Sequence, residues 1–255
     1  MKHLINLTLC FLCILSAEAQ QFPVLQRVLQ SKDVRKLNDY SASNSEVLEY
    51  DFPATGMYWR QYREVLPGYY EGTMQIYYGV PKTTEDYVVI PYRIQVLVKD
   101  STIIQYALKA IDQSGRYRNV SYQERDSSGY KSFVEAFNAF YKVPLDERFL
   151  FIDSLNYGEA CGDAEAMPAE MKIAKEYIAT KDEAALLKWL QTGNTELQFY
   201  AIYGFSELAK QQITPGTEAM RLISFVLNKA GNVNICTRTH ERTPSISSLK
   251  DQFSF

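Results

Sequence analysis

The chain is poor in the residues on which most recognisable chemistry depends. It holds two histidines, four cysteines and two tryptophans in 255 residues. No block of lysine and arginine occurs, and the net charge is −3. That balance excludes an electrostatic grip on nucleic acid. No Gly-x-Ser-x-Gly elbow supports serine hydrolysis. No glycine-rich loop is arranged to cradle phosphate; Gly56, Gly68, Gly72 and Gly79 are scattered as turn residues. No metal or cofactor motif follows, and none is expected. Past residue 20 there is no apolar run near the ~20 residues of a membrane-spanning helix.

What is present begins at the N-terminus. Lys2 and His3 precede an apolar run from Leu4 to Leu15, and Ala17-Glu18-Ala19 closes it in a small-x-small pattern. This is the layout of a secretory signal over residues 1–19, with Gln20 as the new N-terminus. Cys10 and Cys13 leave with it. Leu9 and Leu12 precede them where a lipidated cysteine needs a small neighbour, so the expected product is soluble rather than lipid-anchored. It is periplasmic or extracellular. Cys161 and Cys236 then remain as a pair in an oxidising compartment, which reads first as one disulfide. The chain-entropy account of so long a loop gives about 4–5 kcal/mol, an upper-end figure.

Composition divides the rest. Of 19 tyrosines, only Tyr177, Tyr200 and Tyr203 lie beyond residue 160, where Ala, Leu, Glu and Lys take over. The reading is an α+β protein: a β-rich domain over 20–157, a helical module over 158–242 and a loose polar tail over 243–255. Phe22, Leu25, Val28 and Leu29 repeat at helical spacing, and Asp33 to Asp39 suggests a second short helix. From Glu46 the period is two. Leu48, Tyr50 and Phe52 alternate with charges. Met57, Trp59 and Val65 share one face of the next strand, and Tyr58, Tyr62 and Leu66 the other. Pro67-Gly68 turns the chain. The longest strand runs from Tyr87 to Lys99, with Arg93, Gln95 and Lys99 turned away from its apolar face. Pro91 within it implies an edge or a bulge there. Thr102–Ile111 completes a hairpin, and Arg116 to Glu124 adds a strand. Ser132 to Val143 reads as a helix covering the sheet, with Phe133, Phe137 and Phe140 on one face. Asp146 to Asn156 fits a helix or a buried strand. From Pro168 the spacing is helical. Asp182 and Thr195 are set as N-caps, and Pro215 takes the first position of a last helix.

The stretch Leu186-Leu187-x-Trp189-Leu190-Gln191-Thr192-Gly193-Asn194-Thr195-Glu196-Leu197-Gln198-x-x-Ala201-Ile202-x-Gly204-Phe205 resembles one HEAT-type repeat. The resemblance covers about residues 182–212, with a weaker partial copy on each side. It implies stacked helical hairpins with small residues at the crossing point. Such stacks bind other proteins, and the resemblance implies no catalysis.

Two further constellations need weighing. Cys161-x-Asp163 and Cys236-x-x-x-His240 offer metal-ligand types, without the paired Cys-x-x-Cys units of a zinc site. The same cysteines could act as nucleophile with His240 as base and Glu159, Asp163 or Glu165 as orienter. His240 nevertheless lies in a polar stretch that reads as surface loop. On the sheet, Tyr58, Trp59, Tyr62, Tyr77 and Tyr87 could form an aromatic platform for sugars or a protein partner. Asn119-Val120-Ser121 matches a glycosylation acceptor. Phe253 and Phe255 resemble the tail of an outer-membrane barrel, against the helical grammar just upstream. The expected role is therefore a non-enzymatic binding module for another exported or envelope protein. Glycan or envelope binding through the tyrosines is the alternative, and an envelope hydrolase the third.

Overall fold

A computed structural model describes residues 25–44, 55–81, 87–111, 117–152, 154–162, 164–237, 240–253 and 255. The expected export signal and the expected alternation at Leu48–Phe52 lie outside them. The class is α+β. Strands β1 (Thr55–Leu66), β2 (Tyr69–Pro81), β3 (Tyr87–Lys99), β4 (Thr102–Ile111) and β5 (Tyr117–Arg125) form one sheet in the order β1-β2-β3-β4-β5. β3 pairs antiparallel with β4, and β4 with β5. β3 is thus the middle strand, so an edge position does not explain Pro91; in its pairing with β4 a register shift falls between Leu97 and Val98. The chain forms two compact units: residues 1–60 with 72–126, and residues 61–71 with 127–255. The tyrosine content drops near residue 157, whereas the units change over at Asp126.

In the first unit, period-two alternation builds the interior. Ile94, Val96 and Val98 are sealed from solvent, and the register sets Ile94 opposite Leu108 and Val96 opposite Tyr106. A helical run over 25–30 and helix α1 (Val34–Asn44) contribute Leu25, Leu29, Val34 and Leu37. Backbone bonds from Val34 to Ser101 and from Ile103 to Lys32 tie them to the β3–β4 turn. Arg93 and Gln95 are buried, contrary to their polar spacing. Alternation tells which side chains share a face, not whether that face is covered. Gln75 donates to the Tyr92 carbonyl at 2.9 Å and accepts from Arg93 at 3.4 Å.

In the second unit, helix α2 (Ser127–Tyr141) is the helix expected to follow the sheet, and it starts earlier than its spacing suggests. Phe133, Phe137 and Tyr141 form its buried row. Phe133 packs on Tyr69 with ring centroids 5.4 Å apart. The Tyr141 hydroxyl donates to the Val65 carbonyl at 2.6 Å. Among the described residues between Asp146 and Asn156, neither an α-helix nor a buried strand forms, and a short 3-10 turn stands at Glu147–Phe149. Helices α3 (Ala169–Thr180), α4 (Glu183–Leu190), α5 (Thr195–Lys210) and α6 (Thr217–Asn228) follow. Asp182 caps α4 by accepting from the Ala185 N–H at 2.9 Å. Asn194, not Thr195, caps α5 by accepting from Leu197. Gly216 precedes α6, so Pro215 lies outside that helix.

Gly204 sits where α4 and α5 cross. A Cβ there would stand 2.5 Å from Leu186 Cδ2. Residues 243–255 are not a loose tail. A 3-10 segment at Ile246–Gln252 buries Ile246 and Leu249, and Phe253 meets the Phe199 ring edge-on. Apolar burial of about 1.5–3 kcal/mol per aliphatic side chain holds such a segment down. Among the described residues, no helix is long and apolar enough to cross a membrane.

Candidate functional site: a disulfide-lined cleft and a buried charge cluster

Cys161 and Cys236 are joined in a disulfide, with Cα atoms 5.3 Å apart and a sequence separation of 75. Two short strands lie beside it. Ile235–Thr237 pairs antiparallel with His240–Arg242, and Tyr157 forms a parallel bridge to Ile235. The Tyr157 N–H donates to Asn234 and the Cys236 N–H to Tyr157, each within 2.9 Å. Gly158 follows because nothing larger fits: a Cβ there would lie 2.3 Å from the Cys236 carbonyl oxygen. The Tyr200 hydroxyl fixes the same segment, donating to the Asn156 carbonyl at 2.8 Å and accepting from the Gly158 N–H at 3.2 Å.

These elements enclose a cleft of about 540 Å³. Cys236 and Leu249 are its buried lining, and Tyr157, Ile235 and Pro244 widen the apolar wall. Glu159, Arg242 and Gln252 are exposed at its margin. A volume of this size falls in the range of ligand clefts. Burial and the neighbouring Tyr200 and Tyr203 push the Tyr157 phenol above its ordinary value, so it stays neutral. The lining offers shape, apolar surface and a few polar edges rather than a nucleophile.

A second constellation lies inside the same unit. Arg63 of β1, Glu71 of β2 and Glu196 of α5 are all sealed from solvent. Arg63 Nε reaches Glu71 Oε1 at 2.8 Å, and its Nη1 reaches Glu196 Oε1 at 2.6 Å. Gln61 donates to Glu71, the Phe151 N–H donates to the other Glu71 oxygen, and the Asn234 N–H donates to Glu196. Burial opposes the charge on Arg63, but Glu196 and Glu71 outweigh it and hold the guanidinium above its ordinary value. Lys229 is buried nearby, with Nζ 2.9 Å from Thr195 Oγ1 and 2.8 Å from Gln198 Oε1.

The disulfide is where the sequence set it. Cys161 and Cys236 are consumed by it, so neither supplies a thiolate for the metal or nucleophile readings. Among the described residues no group of three or more His, Cys, Asp or Glu could hold a metal ion. Asp163 lies outside the described residues. His240 is exposed on its short strand opposite Thr237, and Glu159 and Glu165 are exposed as well. Tyr58, exposed, stacks with Tyr77 at 6.1 Å. Tyr62 stacks instead with Tyr70 at 5.6 Å. The Trp59 indole N–H donates to Asn38 at 2.8 Å. The Tyr87 side chain lies outside the described set, as do the side chains of the Asn119 acceptor pattern. Comparison with protein-family models, with curated proteins and with solved structures found no match to this chain.

The charge cluster escaped sequence reasoning, although one signal was there. Gln61 and Arg63 are in phase with Met57, Trp59 and Val65 on β1. Polar residues on an otherwise apolar face mark a buried polar pairing rather than a solvated edge.

Proposed function

We propose that this protein is an exported, non-enzymatic binding module that holds an extended segment of another exported or envelope protein. The cleft beside the Cys161–Cys236 disulfide is the single observation that carries this reading. Its walls are extended backbone on one side and a docked C-terminal segment on the other. A disulfide and the Tyr200 hydroxyl hold the first wall in place, and preorganisation of this kind lowers the ordering cost of binding. The apolar lining between an acidic and a basic margin suits a short peptide stretch with alternating apolar and polar side chains. The α4–α5 hairpin, with Gly204 at its crossing, is the part that resembles a HEAT repeat, a family whose stacks bind proteins. Glycan binding has one observation in its favour, the exposed Tyr58–Tyr77 pair.

Selection of peptides from a random displayed library on the full chain tests the reading. Selected peptides should lose at least tenfold in affinity for the Arg242→Glu and Glu159→Arg variants, whose melting should match the parent. Peptides that bind those variants unchanged refute the cleft. Binding of glycans that is lost only on Tyr58→Ala moves the function to the tyrosine pair.

A further inference from the structure

Lys229 is the buried charge that the cluster does not neutralise directly. Among the described residues its Nζ donates to Thr195 Oγ1 and Gln198 Oε1, both neutral acceptors. Two acceptors match the two N–H bonds of a neutral amine, whereas an ammonium carries three. The Gln198 amide cannot flip to suit a different state. Its Nε2 faces three acceptors, the carbonyls of Leu190 and Thr192 and the Tyr141 hydroxyl, which share its two N–H bonds. Tyr141 in turn donates to Val65 near the tip of the β1–β2 hairpin. A continuous chain of bonds therefore runs from Lys229 through Gln198 and Tyr141 to the hairpin end at 61–71.

The charged groups around Lys229 come from every element packed there. From β1, Arg63 opposes a second cation and Glu64 favours one. From β2, Glu71 favours it, and from α5, Glu196 does so too. On its own helical side the Phe225 ring centroid lies 5.9 Å from Nζ, a weak attraction for a cation. From α2, the Tyr141 phenol is raised by its burial and stays neutral. Glu71 and Glu196 carry two negative charges against the one on Arg63, so they still favour a charged Lys229. Burial, the largest effect, and then the Arg63 guanidinium outweigh them and lower Lys229 from the ordinary 10.5 to about 7.

We infer that Lys229 is a pH-operated latch on the β1–β2 hairpin end: it donates into the bond chain to Val65 in either state, but protonation adds a second buried cation beside Arg63 and loosens residues 61–71. The sign follows from linkage. A lysine lowered in the closed state takes up a proton on opening wherever the pH lies between the two values. Opening therefore becomes about tenfold easier for each unit the pH falls between about 10 and 7, and levels off below.

The full-length protein, labelled with carbon-13 at lysine Cε and assigned with the Lys229→Met spectrum, reports the titration directly. A midpoint near 7 is expected; a midpoint near 10 overturns the latch. Amide exchange of residues 61–71, corrected for the intrinsic pH dependence of exchange, reads the opening. The tenfold-per-unit slope should appear in the parent between pH 9 and 7.5 and vanish in Lys229→Met. An equal slope in both proteins, no slope in the parent, or the same slope in the amides of α3 overturns the assignment. Should the Met variant fail to fold, the lysine titration and the comparison of residues 61–71 with α3 decide it within the parent.

Discussion

Two ties hold distant segments of the helical unit together, and they are opposite in kind. The Cys161–Cys236 disulfide closes a 75-residue separation covalently, beside a cleft that reaches solvent. The Arg63–Glu196 pair spans 133 residues by a hydrogen-bonded ion pair, sealed from water. The first is indifferent to pH and answers to a reductant. The second ignores a reductant and depends on every neighbouring proton. A disulfide acts largely on the unfolded chain, by removing conformations from it. A buried ion pair acts on the folded state, where its mutual attraction must offset the loss of hydration by both partners. The covalent tie therefore suits a wall that must keep its shape, and the ionic tie suits a contact that can be released.

Breaking the ionic tie should have the larger effect. Arg63→Met leaves Glu71 and Glu196 buried without the guanidinium that serves both. A loss of about 3–5 kcal/mol is expected, read by denaturant unfolding at pH 8. Loss of Arg63 also removes the cation that lowers Lys229, so the lysine should titrate above its parent value in this variant. An unchanged unfolding midpoint would mean that Lys229 replaces Arg63 outright and that the two cations are interchangeable.

Breaking the covalent tie comes next. The Cys161→Ala, Cys236→Ala double variant should lose about 2–4 kcal/mol, the common range for a native disulfide. The loss should be the same at pH 6 and pH 9, because neither cysteine titrates while bridged. A loss that varies with pH as the parent's stability does would show that the staple and the cluster are one cooperative element. Reduction of the parent should reproduce the double variant within a few tenths of a kcal/mol.

The contrast also explains what the amino-acid order revealed. The staple was legible because the signal read at residues 1–19 would leave two cysteines, and an oxidising compartment would pair them. Asp182 was legible as a cap because capping is local, settled within three residues. The α+β class was legible because apolar periodicity changes from two to helical along the chain. The charge cluster was not, because its members come from β1, β2, α5 and the segment after α6. Each looks ordinary in its own window. Glu196 reads as first-turn acid favouring the helix dipole, and Lys229 as a solvated residue past a helix end. The burial of Arg93 and Gln95 was missed for a related reason: period-two spacing sorts faces and says nothing of what lies over them. The docked segment at Ile246–Gln252 was misread because its two anchors, Ile246 and Leu249, are isolated among serines and charges.

The smallest change tests where the ionic tie ends. Glu64 neighbours Arg63 on β1 but belongs to the rim of the cluster. Its Oε1 accepts from the Gly68 N–H at 3.1 Å, and its Oε2 accepts from the Ala230 N–H at 3.2 Å. Glu64→Gln keeps the shape and one carbonyl oxygen but loses the charge and one acceptor, so about 1 kcal/mol should be lost. Glu64 also favours the charged form of Lys229. Its removal should therefore move the lysine titration lower, opposite in direction to Arg63→Met. Opposite movements in the two variants place Lys229 in the field of both groups. Movement in the same direction would mean that Glu64 acts through the backbone at Ala230, and the electrostatic boundary of the cluster would then fall between Arg63 and Glu64.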